Sequence, residues 1–303
     1  MTKTAFLFAG QGSQYAGMGR DIYDKYPYVR ELYDEASAVL GYDLREICFT
    51  ENDLLHQTRY TQPAVMTTSY SLYRVFVRET GVSPVVLAGF SLGEYTALCA
   101  AGVFSFSDAV RLVARRAIAM NRAAVKNKGA MAAIIAYPRD KLERLCGKIG
   151  GVLIANYNCP GQLVVSGETD AVSALCAEAK ADGAKRVIPL NVSGAFHSPL
   201  MTEAAVEMRE YLEGFSFREP SADVILNYNA SPLKLSDLKE ALREQIVSSV
   251  YFEDSVRKII KDYDVNQFIE FGPGKVLRGF VSRIDGGVSV VSIDKLADFE
   301  SLR

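Results

Sequence analysis

Residues 85 to 98 read VVLAGFSLGEYTAL: an apolar run, a turn carrying two glycines, and a stretch of helix-forming residues. Gly89-Phe90-Ser91-Leu92-Gly93 fits G-x-S-x-G in the strand–turn–helix setting that a nucleophile elbow requires. So sharp a turn has no room for side chains beside strand or helix, which explains glycine at 89 and 93. The serine is left protruding at a helix N-terminus, where the Leu92 N–H can face a developing oxyanion. A strand that feeds a helix in this way is one unit of an α/β layer. Ser91 is a candidate nucleophile, and a plain structural turn is the alternative.

Working outward, TAFLF (4–8) reads as a strand, AGQGSQ as a glycine turn, and GRDIYDKYPYVRELYDEASAVL as a helix. Apolar residues at three- and four-residue spacing make PAVMTTSYSLYRVFVRE (63–79) a helix with a buried face. The strand PVVLA and the helix EYTALCAAG, ending at Gly102, follow it. SFSDAVRLVARRAIAMNRAAV predicts the next helix, with Ser107 as its N-cap. After KNKG the pattern changes. AMAAIIA, PRDKLERLCGKI, GVLIANYN, QLVVSG, TDAVSALCAEAKADGA and KRVIPLNV alternate as β-α-β-β-α-β, the ferredoxin-like arrangement. The expectation is an α/β chain in which a small subdomain (128–193) interrupts a larger one (1–127 and 194–303). Beyond it, residues 199–212 predict a helix, VILNYN a strand, LSDLKEALREQIVSS and 253–262 helices, and NQFIEF a strand before the turn GPGK.

Composition excludes several classes. A chain of 303 residues, 49% hydrophobic and 23% charged, buries a sizeable core and is not disordered as a whole. Lys and Arg number 34 against 36 Asp and Glu, and a formal charge of −2 supplies no electrostatic reason for nucleic acid as the main partner. The five cysteines, Cys48, Cys99, Cys146, Cys159 and Cys176, are scattered and lack C-x-x-C. They suit neither a disulfide framework nor a zinc site and predict free thiols packed as small apolar residues. No metal and no tightly bound cofactor are expected. No stretch approaches the roughly 18 to 20 apolar residues of a membrane span, and the N-terminal apolar run is too short for a signal peptide. The expectation is a soluble, cytoplasmic protein with no membrane partner, and nothing suggests more than a monomer.

A serine nucleophile needs a base, and only two histidines exist. NVSGAFHSPLM puts His197 between a strand and a helix capped by Ser198 with Pro199 at its first position, so its imidazole stands at the same kind of strand end as Ser91. His56, in ENDLLHQTRY, has ordinary surface surroundings. The third member of a triad is not evident: Asp108, Asp170 and Asp182 all fall at helix ends, and a backbone carbonyl is another means of orienting the ring. On a helical wheel Ala109, Val113, Ala117 and Met120 form one stripe centred on Arg116, while Arg111, Arg115 and Arg122 lie opposite. A charge in an apolar stripe must be paired. Arg116 is either half of an internal salt bridge or a planar fork kept for a carboxylate that the substrate brings.

FAGQGSQYAGMG, TQPA (61–64), GFSLGEYTAL, LVARRAIAM, GAMAAII, NYNCPGQLVVSG, VSGAFHSPLM and EFGPGKVL, in this order over essentially the whole chain, resemble the motifs of the malonyl-CoA:acyl carrier protein transacylase family of fatty acid and polyketide synthesis. The resemblance implies an α/β-hydrolase-like large subdomain with a ferredoxin-like one inserted, and transfer of a malonyl group from malonyl-CoA to an acyl carrier protein. It implies Ser91 as the acylated nucleophile, His197 as its base, Arg116 as clamp for the malonyl carboxylate, and the N–H groups of Gln11 and Leu92 as oxyanion hole. By its residues alone AGQGSQ is only a glycine turn, and Tyr15 stands where a dinucleotide-binding G-x-G-x-x-G needs glycine. Phe90 replaces the family's usual histidine before the nucleophile. Phe196 resembles the malonyl-selecting pattern, because its ring would crowd an α-methyl group. Tyr251 is implied to hold His197 through its backbone carbonyl. Lys126, Lys128, Lys185 and Arg186, near the expected junctions, are candidates for docking an acidic carrier. Two rivals remain: a hydrolase on the same elbow, and a carrier-binding module without catalysis.

Overall fold

The computed structural model of the chain describes residues 2–300, so Met1 and the last three residues of the expected large subdomain lie outside it. Its strands are β1 (Thr4–Phe8), β2 (Val86–Gly89), β3 (Gly129–Ile135), β4 (Val152–Cys159), β5 (Gln162–Glu168), β6 (Arg186–Pro189), β7 (Asp223–Ile225), β8 (Gln267–Phe271) and β9 (Ser289–Ile293). A parallel sheet runs in the order β7-β2-β1-β8-β9, and a separate antiparallel sheet in the order β4-β5-β3-β6. The fold is α/β with two subdomains.

Parallel strands are covered on both faces, and so β1 is buried at every residue with no apolar–polar alternation. On one face Phe6 and Phe8 meet Phe271, with Phe76 edge-on to Phe6. On the other, Ala5 and Leu7 join Phe252 and Phe268 in a second cluster. The antiparallel sheet has a core of its own. Leu142 and Cys146 from the helix Arg139–Ile149, and Val172 and Leu175 from the helix Thr169–Ala181, pack onto Ala132, Ile134, Ile154 and Val165. Its strand order is that of the ferredoxin-like pattern.

Several boundaries differ from the sequence reading. The single helix expected over 19–40 is two, Arg20–Lys25 and Pro27–Leu40, because Tyr26 precedes a proline and is held extended. The helix expected over 63–79 begins at Thr58 and carries Pro63 inside it. The helix Phe106–Lys126 is capped by Ser105, whose side chain accepts from the Asp108 N–H; Ser107 sits inside the first turn and bonds Glu35 instead. All five cysteines are free, four of them buried. Among the described residues no helix is long and apolar enough to cross a membrane.

The helix Gly93–Ala100 starts against the ends of β1 and β2. A Cβ on Gly93 would lie 2.1 Å from the Phe8 carbonyl oxygen, and one on Gly89 would lie 1.9 Å from the Gly93 carbonyl carbon. Backbone packed this closely cannot yield without displacing the sheet. We predict that Gly93→Ala destabilises the fold by about 1–3 kcal/mol or more, read as a lower urea midpoint. Gly147→Ala serves as the opposite case, since its added Cβ meets nothing within 4 Å; inside a helix it should stabilise by about 0.5–1 kcal/mol. Equal midpoints for the two variants would contradict this account of the turn.

Candidate active site

β1 and β2 are neighbours in the parallel sheet and end at the same edge, where open α/β sheets place their ligands. Gln11 lies in the loop just beyond β1, and Ser91 follows β2 after one intervening residue. Ser91 has φ +52° and His197 φ +56°, both in the left-handed region that non-glycine residues avoid at a cost of order 1–3 kcal/mol. These two strained residues, from distant parts of the chain, stand side by side at a cavity of about 780 Å³ between the subdomains. Gln11, Ser91, Arg116 and His197 line it on one side, with Met131 and Val164 of the antiparallel sheet on the other.

The Ser91 hydroxyl lies 2.7 Å from His197 Nε2, and His197 Nδ1 lies 2.9 Å from the carbonyl oxygen of Gln245. A carbonyl only accepts, so Nδ1 carries the proton and Nε2 is free to accept from the serine. The orienting group is therefore Gln245, in the last turn of the helix Leu238–Val247, where carbonyls lack intrahelical partners. This corrects the expectation for Tyr251. Its carbonyl is already used at the start of the next helix, Phe252–Tyr263, accepting from the Ser255 N–H at 2.9 Å and the Ser255 hydroxyl at 2.8 Å. Its ring stacks on Tyr157 with centroids 4.8 Å apart. Burial first, and the charge of Arg116 second, push the His197 imidazole down to about 4. It is a neutral base through the neutral range.

Arg116 is 1% exposed. Its Nη1 donates to Gln62 Oε1 at 2.8 Å, and its Nη2 donates to Gln245 Oε1 at 3.0 Å and to Ser91 Oγ at 3.2 Å. The guanidinium also lies 5.5 Å from the Tyr95 ring centroid, while Nε has no partner. Among the described residues no carboxylate is within ion-pair reach of it, so it is not half of an internal salt bridge. Burial lowers its pKa, yet a guanidinium stays charged in a protein. The site thus holds a dry cation whose partners are all neutral oxygens.

The amides of Gln11 and Leu92 donate to no acceptor of the chain among the described residues. The Gln11 side chain is fastened between Thr58 Oγ1 at 3.1 Å and Gln62 Nε2 at 3.2 Å. Phe90 turns its ring onto Phe252 and Phe280, with centroids 5.5 and 5.9 Å away, and forms part of the cavity wall. Phe196 lines the cavity and is buried. His56 sits exposed at the rim, away from Ser91's base. Lys126 pairs with Glu203 at 2.6 Å; Lys128, Lys185 and Arg186 are exposed and in no ion pair among the described residues. No group of three or more His, Cys, Asp or Glu suited to a metal occurs among the described residues.

Sequence reasoning missed Gln62 and Gln245. A signal for Gln245 was present: Leu238, Ala241, Leu242, Gln245 and Ile246 are all buried and share one helix face, so a glutamine stands within an apolar stripe. A buried carboxamide needs partners, and here they are the Ser91 carbonyl and the Arg116 guanidinium.

A family model for the acyl transferase domain matches residues 5–283. The malonyl CoA-acyl carrier protein transacylase of Bacillus subtilis is 42% identical over 97% of this chain and 94% of its own length. The solved MCAT of Streptococcus pneumoniae superposes with a TM-score of 0.94 at 45% identity, covering 99% of both chains. A malonyl-transacylase solved in complex with its type II PKS acyl-carrier protein superposes with a TM-score of 0.95 at 36% identity over 99% of this chain and 98% of that one.

The imidazole value sets a pH dependence. Between the ordinary 6.5 and about 4 the unfolded chain takes up a proton that the buried ring refuses, so stability that is complete above 6.5 falls as pH falls through that window. Reaction of Ser91 with a neutral ester should keep its rate in mildly acidic buffer and halve near pH 4. Urea denaturation of the wild type and His197→Gln across this range checks the first statement, and a pH–rate profile checks the second. A rate midpoint at the ordinary imidazole value would contradict both.

Proposed function

The chain belongs to the acyl transferase family that this model describes, and from that membership we propose that it moves a malonyl group from malonyl-CoA to the phosphopantetheine thiol of an acyl carrier protein, through an ester on Ser91. One observation carries the substrate assignment: Arg116, dry and bonded only to neutral oxygens, lies 3.2 Å from Ser91 Oγ. A fork in that place matches the carboxylate of a malonyl group, two bonds from the thioester carbonyl that the serine attacks. A simple hydrolase would have no use for it.

In this reading His197 Nε2 takes the Ser91 proton as the oxygen attacks the thioester carbonyl. The N–H groups of Gln11 and Leu92 hold the tetrahedral oxyanion. Its collapse breaks the carbon–sulfur bond, and the departing CoA sulfur takes the proton from His197. The carrier's thiol then gives its own proton to His197 and attacks the seryl ester; the proton returns to Ser91 as that ester breaks. The neutral imidazole and its Gln245 tether serve both half-reactions. Arg116 has a second effect. Its charge depresses the His197 pKa and its Nη2 occupies a lone pair of Ser91 Oγ. A carboxylate drawing the guanidinium away relieves both, so a malonyl group primes the base and an acetyl group does not.

Phe196 narrows the space for an α-substituent, and Phe90 keeps one wall of the cavity apolar. CoA enters as part of a thioester substrate, with no resident cofactor. Residues 128–193 act as a unit inserted between 1–127 and 194–303, and the protein works as a cytoplasmic monomer.

Intact-protein mass spectrometry after brief exposure to malonyl-CoA or acetyl-CoA tests the proposal, followed by addition of a carrier protein bearing its pantetheine arm. A malonyl adduct should form, require Ser91, and pass to the carrier; loss of the adduct to water alone would favour the hydrolase. Arg116→Ala should weaken malonyl use relative to acetyl by about 2–5 kcal/mol, the cost of truncating one side of a buried charge pair. Unchanged selectivity would remove the clamp.

A further inference from the structure

The strained turn at Ser91 is held from outside by a side chain with no role in the scheme above. β2 pairs with β7 up to Ala88 and Ile225, and there the backbone ladder stops. Two residues past β7, Asn227 extends the pairing with its carboxamide. Its Nδ2 donates to the Gly89 carbonyl at 2.7 Å, and its Oδ1 accepts from the Ser91 N–H at 2.7 Å. The two peptide groups flanking Phe90, just ahead of the strained residue, are thereby joined by one rigid group. Asn227 is 1% exposed, so water cannot replace these bonds. Its own backbone is fixed in turn: its N–H donates to Glu94 Oε2 at 2.5 Å, and its carbonyl accepts from the Tyr251 N–H at 2.9 Å. Glu94 is wholly buried, on the first turn of the helix that follows Ser91.

We infer that Asn227 is a positioning residue for the nucleophile, locking Ser91 in its left-handed conformation, and that Glu94 anchors Asn227 as an acceptor for its amide. A strained φ persists only where its surroundings over-determine it. Here the determinants are two carboxamide hydrogen bonds, one on each side of Phe90, that fix the backbone entering Ser91, supplied by a segment more than 130 residues away in sequence. Released, the turn would relax toward φ below zero and carry Oγ off the line between His197 Nε2 and the attacked carbonyl. Burial raises the Glu94 carboxyl to about 8, so at neutrality it is mostly protonated and acts at Asn227 by its oxygen rather than by charge.

The inference rests on Ser91 being the nucleophile, which labelling of the wild type by a fluorophosphonate, lost in Ser91→Ala, tests separately. The decisive set is Asn227→Ala, Asn227→Asp, Glu94→Ala and Glu94→Gln, each followed by thermal unfolding, fluorophosphonate labelling rate, and kcat and KM for seryl-ester formation from malonyl-CoA. Asn227→Ala should stay cooperatively folded and lose about 10²-fold in labelling rate and kcat, the scale of a 1 Å misplacement, with KM and the malonyl/acetyl ratio unchanged. Glu94→Ala should follow it, and Glu94→Gln, which keeps the acceptor oxygen, should rescue most of that loss. If Asn227→Ala does not fold, Asn227→Asp decides, because it retains an acceptor for the Ser91 N–H but sets an oxygen against the Gly89 carbonyl; it too should be slow at unchanged KM. A folded Asn227 variant labelled within about 3-fold of wild type would overturn the inference, 3-fold being under 1 kcal/mol. So would Glu94→Gln losing malonyl preference, since Glu94 would then be serving Arg116 as a counter-charge.

Discussion

Gln245 touches Ser91, His197 and Arg116 at once. Its Nε2 donates to the Ser91 carbonyl at 2.9 Å, its Oε1 accepts from Arg116 at 3.0 Å, and its backbone carbonyl accepts from His197 at 2.9 Å. A carboxamide offers donor and acceptor on one short planar group without needing to titrate. Because Gln245 is wholly buried, each bond it lost would leave an unsatisfied partner in a dry site, at a cost of about 1–3 kcal/mol. Ser91, His197 and Arg116 are thus tied to a single helix end, and movement of any one strains the other two.

That tether matters because the site carries an unneutralised charge. Arg116 is surrounded by amide and hydroxyl oxygens, and it lowers the basicity of the imidazole beside it. In water the effect would be slight; between two groups as buried as these, Coulomb interactions are several-fold stronger. In the proposed reaction selectivity then has two parts, an attraction at the guanidinium and an activation at the histidine, and both come from one ionic contact.

The strain at Ser91 and His197 is set by packing rather than by local preference. Gly89 and Gly93 let strand, turn and helix approach closer than any side chain would permit. The carboxamides of Asn227 and Gln245 then take up the polar backbone groups that so tight a turn leaves without partners. Steric permission comes from residues beside the serine, and enforcement comes from residues far along the chain.

Ser91, His197 and Arg116 were legible because their signals are local. The glycine pair marks the turn, a Ser-Pro start marks the helix after His197, and a cation in an apolar stripe marks Arg116. The β-α-β-β-α-β segment was legible for the same reason, since each element declares its period over a few residues. Where competing local signals were close together the reading slipped, as at Ser105 against Ser107, two serines that both stand just ahead of Asp108. The sequence by itself therefore determined the architecture and singled out Ser91, His197 and Arg116, which the fold brings together. Only the tertiary structure decided that Gln245 and not Tyr251 orients the histidine, that Arg116 lacks a counter-ion, and that Gln62 and Asn227 belong to the site. Hydrogen bonds between residues as far apart as Ser91 and Gln245, 154 positions along the chain, leave no spacing to read. Which carbonyl reaches an imidazole depends on where each helix ends in space, and that is settled by packing.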